Sequence, residues 1–448
     1  MIHYDIAIVG GGWAGVCAAA AAARRGQKVI LIERDNSLGG LATNGFIGGI
    51  LGHGRGDHTS NLLVRGEFER LLQRLHEAGG CAAPENWGHP IIFNHDALKA
   101  VMETFLQELG VTLLYRAVAV GATRQGDAIA SLQVLAGGRQ ETITADYFLD
   151  CSGNGDLLEL AGAEYEFGRP GDGLVQALGI VVIFADVDPS WEQDAEALRE
   201  ALDAEHKSGR IAIYHGNVVA PETTWGCGDY SHTMIRVGGI RAAADPRDAE
   251  AMARAELSMR KTATQVMEVC RRISPAFAKA TIIYPSQIGI RECRRLVGKT
   301  TITEQDIAEG RQFPDAVATG LYWIDIHCPL GYTDDAFLCN ASCETKHPCR
   351  QKQEFPQLLP KHLEPPKGKF LSIPLGALCS KNITNLLAAG RCISTTSSAL
   401  AAVRVMSICA STGEAAGAAA ALARKYGGLD ALPVAELQDD LRRQGGFF

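Results

Sequence analysis

At 448 residues the chain is longer than one compact core usually holds, which predicts two domains or one large domain with insertions. Forty-three basic residues against 51 acidic ones give a formal net charge of −8, so no basic field is available for nucleic acid. Thirteen irregularly spaced cysteines read as reduced thiols of a cytoplasmic protein, and the small-residue runs Ala18 to Ala23 and Ala415 to Ala423 are too short, and too poor in leucine, to span a bilayer.

The chain opens on a dinucleotide fingerprint. Asp5 to Val9 is a strand pattern beginning at Ile2 or His3, so no signal peptide is expected ahead of it. Gly10-Gly11-Gly12-Trp13-Ala14-Gly15 then forms a G-x-G-x-x-G turn into an alanine-rich helix, and Lys28 to Ile32 is a second apolar run closed by Glu33 and Arg34. Gly10 permits the tight turn, Gly12 lets backbone approach a pyrophosphate at the helix N-terminus, and Gly15 lets helix lie on strand. Glu33 is placed to accept the hydroxyls of an adenosine ribose.

A second glycine turn, Gly39-Gly40-Leu41-Ala42-Thr43, follows within a few residues. Here the sequence resembles flavoproteins of the glutathione reductase type, in which such a turn supplies backbone amides to FAD; a domain binding nicotinamide alone has no need of it. The resemblance implies a glutathione-reductase-type, Rossmann-like α/β FAD domain, with Trp13, Ala14, Arg34, Leu41 and Thr43 beside the cofactor.

Gly45 to Gly56 is a glycine-dense loop from which His53 and His58 offer candidate substrate contacts. Amphipathic helices are expected over Glu67 to Ala78 and Asp96 to Leu109, and a strand over Val111 to Val120. In the resembling flavoproteins a residue of that strand meets adenine through its backbone, which points to Val118. Ala145 to Asp150 delivers Cys151-Ser152-Gly153-Asn154-Gly155; the family resemblance makes Ser152 and Gly153 part of a short turn returning to FAD, and no second dinucleotide fingerprint follows.

From Glu164 to Lys369 the texture changes. Leu174 to Phe184, Ile211 to Val219 and Thr233 to Ile240 suggest a sheet, and Asp245-Pro246 suggests the start of a helix running to about Arg272. The expected organisation is a discontinuous cofactor domain, residues 1–165 and 370–448, with an inserted α+β substrate domain over 166–369. Within the insert, Gly289-Ile290-Arg291-Glu292-Cys293-Arg294-Arg295 supplies planar cationic donors, and Arg291 and Arg295 are candidates to orient a substrate. Tyr322 to Pro329 reads as extended, which puts Asp325 and His327 on one face as an acid-base pair. Cys339, Cys343, His347 and Cys349 lie close together in a polar segment, but their spacing fits no common metal pattern and Lys346 and Arg350 oppose a cation, so no metal is expected.

Leu386 to Gly390 returns to the first domain, followed by Arg391, where the superfamily more often has an acid. Together with Gly-Ile-Arg-Glu-x-Arg-Arg and Arg404-Val405-Met406, the Ala-Gly-Arg-Cys-Ile-Ser run of residues 389–394 is similar to a family of bacterial FAD-dependent oxidoreductases. That likeness implies bound FAD, with Gly390, Arg391, Arg404, Val405 and Met406 at the flavin end. A helix beginning near Arg404 would aim its positive end at the flavin's N1 edge. The expected activity is hydride transfer between a small polar organic substrate and FAD, with an unidentified electron acceptor or donor and no membrane or nucleic-acid partner; a homo-oligomer is compatible. Two other classes share the fold: flavoproteins with non-redox chemistry of the thiazole-synthase or hydratase kind, and electron-transfer subunits.

Overall fold

The first strand, His3–Val9, lies at the centre of a parallel sheet because its apolar residues are buried on both faces. Residues 3–54, 62–84, 87, 90–211, 222–223, 233–329 and 363–448 are described by the computed structural model. The first strand pairs with Val29–Ile32 on one side and with Arg139–Asp150 on the other. Thr112–Leu114 extends the sheet beyond Val29–Ile32, and Leu386–Ala388 closes it beside Arg139–Asp150. The N-terminal half of Arg139–Asp150 also pairs antiparallel with Ala128–Ala136, which pairs in turn with Ala117–Gln125. The single run expected over Val111 to Val120 is thus two strands, divided at Arg116, whose φ of 51° breaks the extended path.

One face of this sheet packs on two helices, Trp13–Ala23 and Met406–Tyr426. Trp13–Ala23 is buried nearly all round, which explains why its alanines show no polar stripe. Gly413 and Gly417 let the two helices pack closely: a Cβ at either would stand 2.1 or 2.2 Å from the carbonyl oxygen of Ala14 or Ala18. The other face is covered by the antiparallel strands and the short helix Asp156–Ala161. Strands from both ends of the chain therefore complete one sheet.

A second hydrophobic core draws on residues between Leu178 and Cys293. Its antiparallel sheet has Leu178–Ala185 flanked by Ile235–Ala242 and Thr281–Ile283, with Glu222–Thr223 at the far edge. Helices Ala195–Lys207 and Ala249–Ile273 pack against it. The long helix starts later than expected, because Asp248 accepts the amides of Glu250 and Ala251 as its cap while Asp245 is engaged by Arg247. The strand expected over Ile211 to Val219 lies outside the described residues, apart from Ile211. Ile302, Ile307, Val317 and Tyr322 join the first core, and Ala316–Gly320 pairs with Leu371–Pro374. Several residues of the expected insert, from Leu296 to Ile324, thus share the hydrophobic cores on the two faces of the parallel sheet.

Among the described residues no single helix is long and apolar enough to cross a membrane. Ser397–Val403 and Met406–Tyr426 meet the combined demands of length and apolarity only together, and the chain bends by 95° between them.

Candidate active site

One cavity runs from the glycine turn after the first strand to the inner face of the second sheet. At its nucleotide end lie Gly10, Gly11, Gly12, Trp13 and Ala14, with Gly39, Gly40 and Leu41 of the second turn beside them. Gly10 has φ of 101°, and a Cβ there would stand 2.4 Å from the Cys151 carbonyl oxygen. No atom lies within 4 Å of where a Gly12 Cβ would be, and Gly12 opens the helix Trp13–Ala23 without a side-chain cap. That leaves room and unspent backbone amides for an anion at a helix N-terminus. Gly15 serves packing: its Cβ would be 1.9 Å from the Gly10 carbonyl oxygen, and it does not line the cavity.

Glu33 ends its strand inside this cavity, buried, with Oε2 accepting the Gly11 amide at 2.5 Å and Oε1 the Asp35 amide at 2.9 Å. Burial raises its pKa, against the lowering effect of those two amides. The carboxylate thus both faces the nucleotide end and braces the glycine turn. Arg34, Val118, Ser152 and Gly153 complete this end. Glu33→Ala should weaken retention of the nucleotide by about 1–3 kcal/mol, the cost of leaving polar partners unsatisfied, as read from cofactor dissociation during dialysis.

From the C-terminal part come Gly390, Arg391, Arg404, Val405 and Met406. Gly390 has φ of 75° and sits over Ala14. Arg391 lies against Gly153, where a Cβ would be 2.2 Å from Nη2, and donates a long hydrogen bond of 3.4 Å to Asn154. Its Nη1 is buried without a protein acceptor. A helix does begin near Arg404, as expected: Arg404 is the C-cap of Ser397–Val403, and Val405 is the N-cap of the helix that Met406 opens.

The far end of the cavity is polar. Residues 321–328 form no strand, yet their path still brings His327 Nε2 within 3.1 Å of Asp325 Oδ2 as a donor, with both side chains buried. Arg404 Nη2 donates to the same Asp325 oxygen at 3.0 Å and to the Asp325 carbonyl at 2.8 Å. Burial would raise the Asp325 pKa, but His327, Arg404 and Arg291 together hold it below the usual carboxylate range. Burial and the Arg291 charge push the His327 pKa well down despite Asp325, so the imidazole is neutral at pH 7. With Nε2 donating, Nδ1 is the lone-pair nitrogen, and it has no protein partner. An imidazole oriented by a carboxylate, with its lone-pair nitrogen unpartnered, is an arrangement that can serve as a base.

Three expected site residues fall elsewhere. Arg295 is fully enclosed, bonded to Glu292 and to the carbonyls of Gly168 and Thr395, so it holds packing together and does not reach the cavity. Thr43 is buried and donates to the Leu38 carbonyl, which shapes the second glycine turn from behind. His53 is buried outside the cavity lining, and His58 lies outside the described residues, as do Cys339, Cys343, His347 and Cys349. Conversely, the cavity includes Arg241, Tyr322 and three glycines, Gly179, Gly239 and Gly289, that were not singled out as site residues. The glycines carried a usable signal, since glycine inside an apolar strand often marks close approach: Gly179 and Gly289 exchange backbone hydrogen bonds of 3.0 and 2.6 Å.

The family model for FAD-dependent oxidoreductases matches residues 5–441. Among solved structures, a geranylgeranyl bacteriochlorophyll reductase-like protein from Thermoplasma acidophilum aligns with 99% of this chain and 84% of its own at 13% identity and a TM-score of 0.45. A myxobacterial chondrochloren halogenase aligns over 67% of each chain at 15% identity and a TM-score of 0.41. A THI4 protein from Thermovibrio ammonificans aligns over 37% of this chain and 66% of its own, at 21% identity and a TM-score of 0.28.

Proposed function

The chain belongs to the FAD-dependent oxidoreductase family, and from that premise we propose that it transfers a hydride between a small polar organic substrate and FAD, with His327 taking or returning the accompanying proton. The cavity fits the cofactor: the open Gly12 helix start and the Gly39-Gly40 turn suit a pyrophosphate, Glu33 suits a ribose, and the orphan Nη1 of Arg391 suits an oxygen of the cofactor. We read the scaffold as the glutathione-reductase type, supported by the five parallel strands and the antiparallel strands beside them.

Bound FAD supplies a two-electron carrier that accepts or donates the hydride. The residues of the chain supply the rest. Asp325 fixes the His327 tautomer through Nε2 and leaves Nδ1 to hold or release a proton. Arg404 is held by Asp325 and adds a cationic donor at the start of helix Met406–Tyr426, where charge developing on a reduced flavin would be stabilised. The observation that carries the reading is the unpartnered, buried Nδ1 of His327 in the same cavity as both glycine turns.

An anaerobic visible spectrum with candidate substrates tests it: a productive substrate bleaches the flavin, whereas turnover without bleaching would overturn hydride transfer. Arg404→Ala should lower the flavin midpoint potential by a few tens of millivolts, ~30 mV being ~1.4 kcal/mol for a two-electron couple. Dye-equilibrated reduction measures this without any substrate.

A further inference from the structure

Arg291, Arg404 and Arg241 line the end of the cavity that holds the His327–Asp325 pair. Arg404 uses Asp325 as its ion-pair partner. Arg291 has no ion pair among the described residues: its Nη1 donates to the Ala177 carbonyl at 2.7 Å, and the other donors of its guanidinium have no protein acceptor. Gly179 packs closely behind it: a Cβ at that position would stand 3.0 Å from Nη1 and 3.3 Å from Nη2. A planar fork with unspent donors, backed by glycine and opening on a cavity, has the geometry that takes a carboxylate side-on.

Resting on the hydride-transfer reading of this same cavity, we propose that its substrate is a small carboxylate, whose anionic group is held by the Arg291 guanidinium beside the His327–Asp325 pair. An anion there meets the guanidinium donors that Arg291 leaves unspent among the described residues. Burial and the neighbouring charges of Arg241 and Arg404 disfavour the Arg291 cation, and Asp325, already shared by His327 and Arg404, offsets only part of this. The neutral imidazole of His327 adds no further positive charge, so it can act as a base beside a bound anion. Ile180, Val181 and Ile240 line the adjoining wall and leave an apolar surface for the rest of the molecule.

The test is a titration of the FAD-loaded protein with acetate, malonate and benzoate, and with acetamide, malonamide and benzamide, followed by the flavin absorbance spectrum. Carboxylates should perturb the spectrum saturably, and the amides should bind at least tenfold more weakly. Arg291→Gln should weaken carboxylate binding by about 10- to 100-fold, the worth of a charge-assisted contact, with FAD content unchanged; Arg291→Lys should recover part of it. Equal binding of acids and amides by the parent protein would overturn the proposal, whatever the variants do. The two readings fail separately. Carboxylates that bind while no carboxylate or neutral compound reduces the flavin would remove hydride transfer and keep the anion site; flavin reduction by a neutral substrate, with no carboxylate binding, would do the reverse.

Discussion

Replacing His327 by alanine should slow substrate-driven flavin reduction by roughly 10²–10⁴-fold, the usual worth of a positioned acid-base group. FAD content should be unchanged, because the groups that suit phosphate and ribose lie at the opposite end of the cavity. Burial and Arg291 keep this imidazole neutral below the ordinary histidine range, so the acid limb of the parent's pH profile should fall below pH ~6.5 and should disappear in the variant. Asp325→Asn should cost less in proton transfer, since Nδ1 remains, although it also releases Arg404 from its carboxylate. A His327→Ala protein that reduces its flavin at the parent rate, with the same pH profile, would leave that histidine a packing role only.

Glu414→Gln should flatten the pH dependence of stability and stabilise the protein at alkaline pH. Glu414 lies in helix Met406–Tyr426, almost fully enclosed, and Oε2 accepts the Glu67 amide at 3.0 Å, capping from outside a helix whose own Gly66 offers no side chain. Among the described residues no ion pair reaches it, and Oε1 has no partner. Burial, with the Glu67 carboxylate beside it, pushes its pKa up to about 8 from 4.5. The native state therefore keeps a proton that the unfolded chain releases above pH 4.5. Stability from this group is present below that value and is lost as pH rises through about 8. At ~1.4 kcal/mol per pKa unit the loss is on the order of 3–5 kcal/mol. Glutamine keeps the acceptor for the Glu67 amide and carries no ionisable proton. Denaturant melts at pH 5, 7 and 9 should show the parent weakening faster with pH than the variant; parallel curves would show that Glu414 is ionised in the native state at neutral pH.

The nucleotide-binding half was legible because each step is local in the chain. A tight turn needs Gly10, a close approach needs Gly12, and Gly15 and Glu33 follow at spacings set by one strand, one helix and the next strand. The same locality placed Gly39-Gly40, and the pair at residues 325 and 327 stayed close even though no strand forms there. What no local spacing could decide was which arginine of one short run enters the cavity. Arg291 does so held by the Ala177 carbonyl and packed against Gly179, over a hundred residues earlier; Arg295 is drawn away by Glu292 and two carbonyls. Asp325 holding Arg404, Arg241 at the polar end and Glu414 capping a helix of distant sequence likewise depend on long-range packing. The sequence by itself determined the glycine turns and the Glu33-ended strand that meet at one end of the cavity, where backbone geometry imposes residue types at fixed intervals. Only the tertiary structure decided the charge balance of the substrate end, because that balance is a sum over side chains brought together from separate cores.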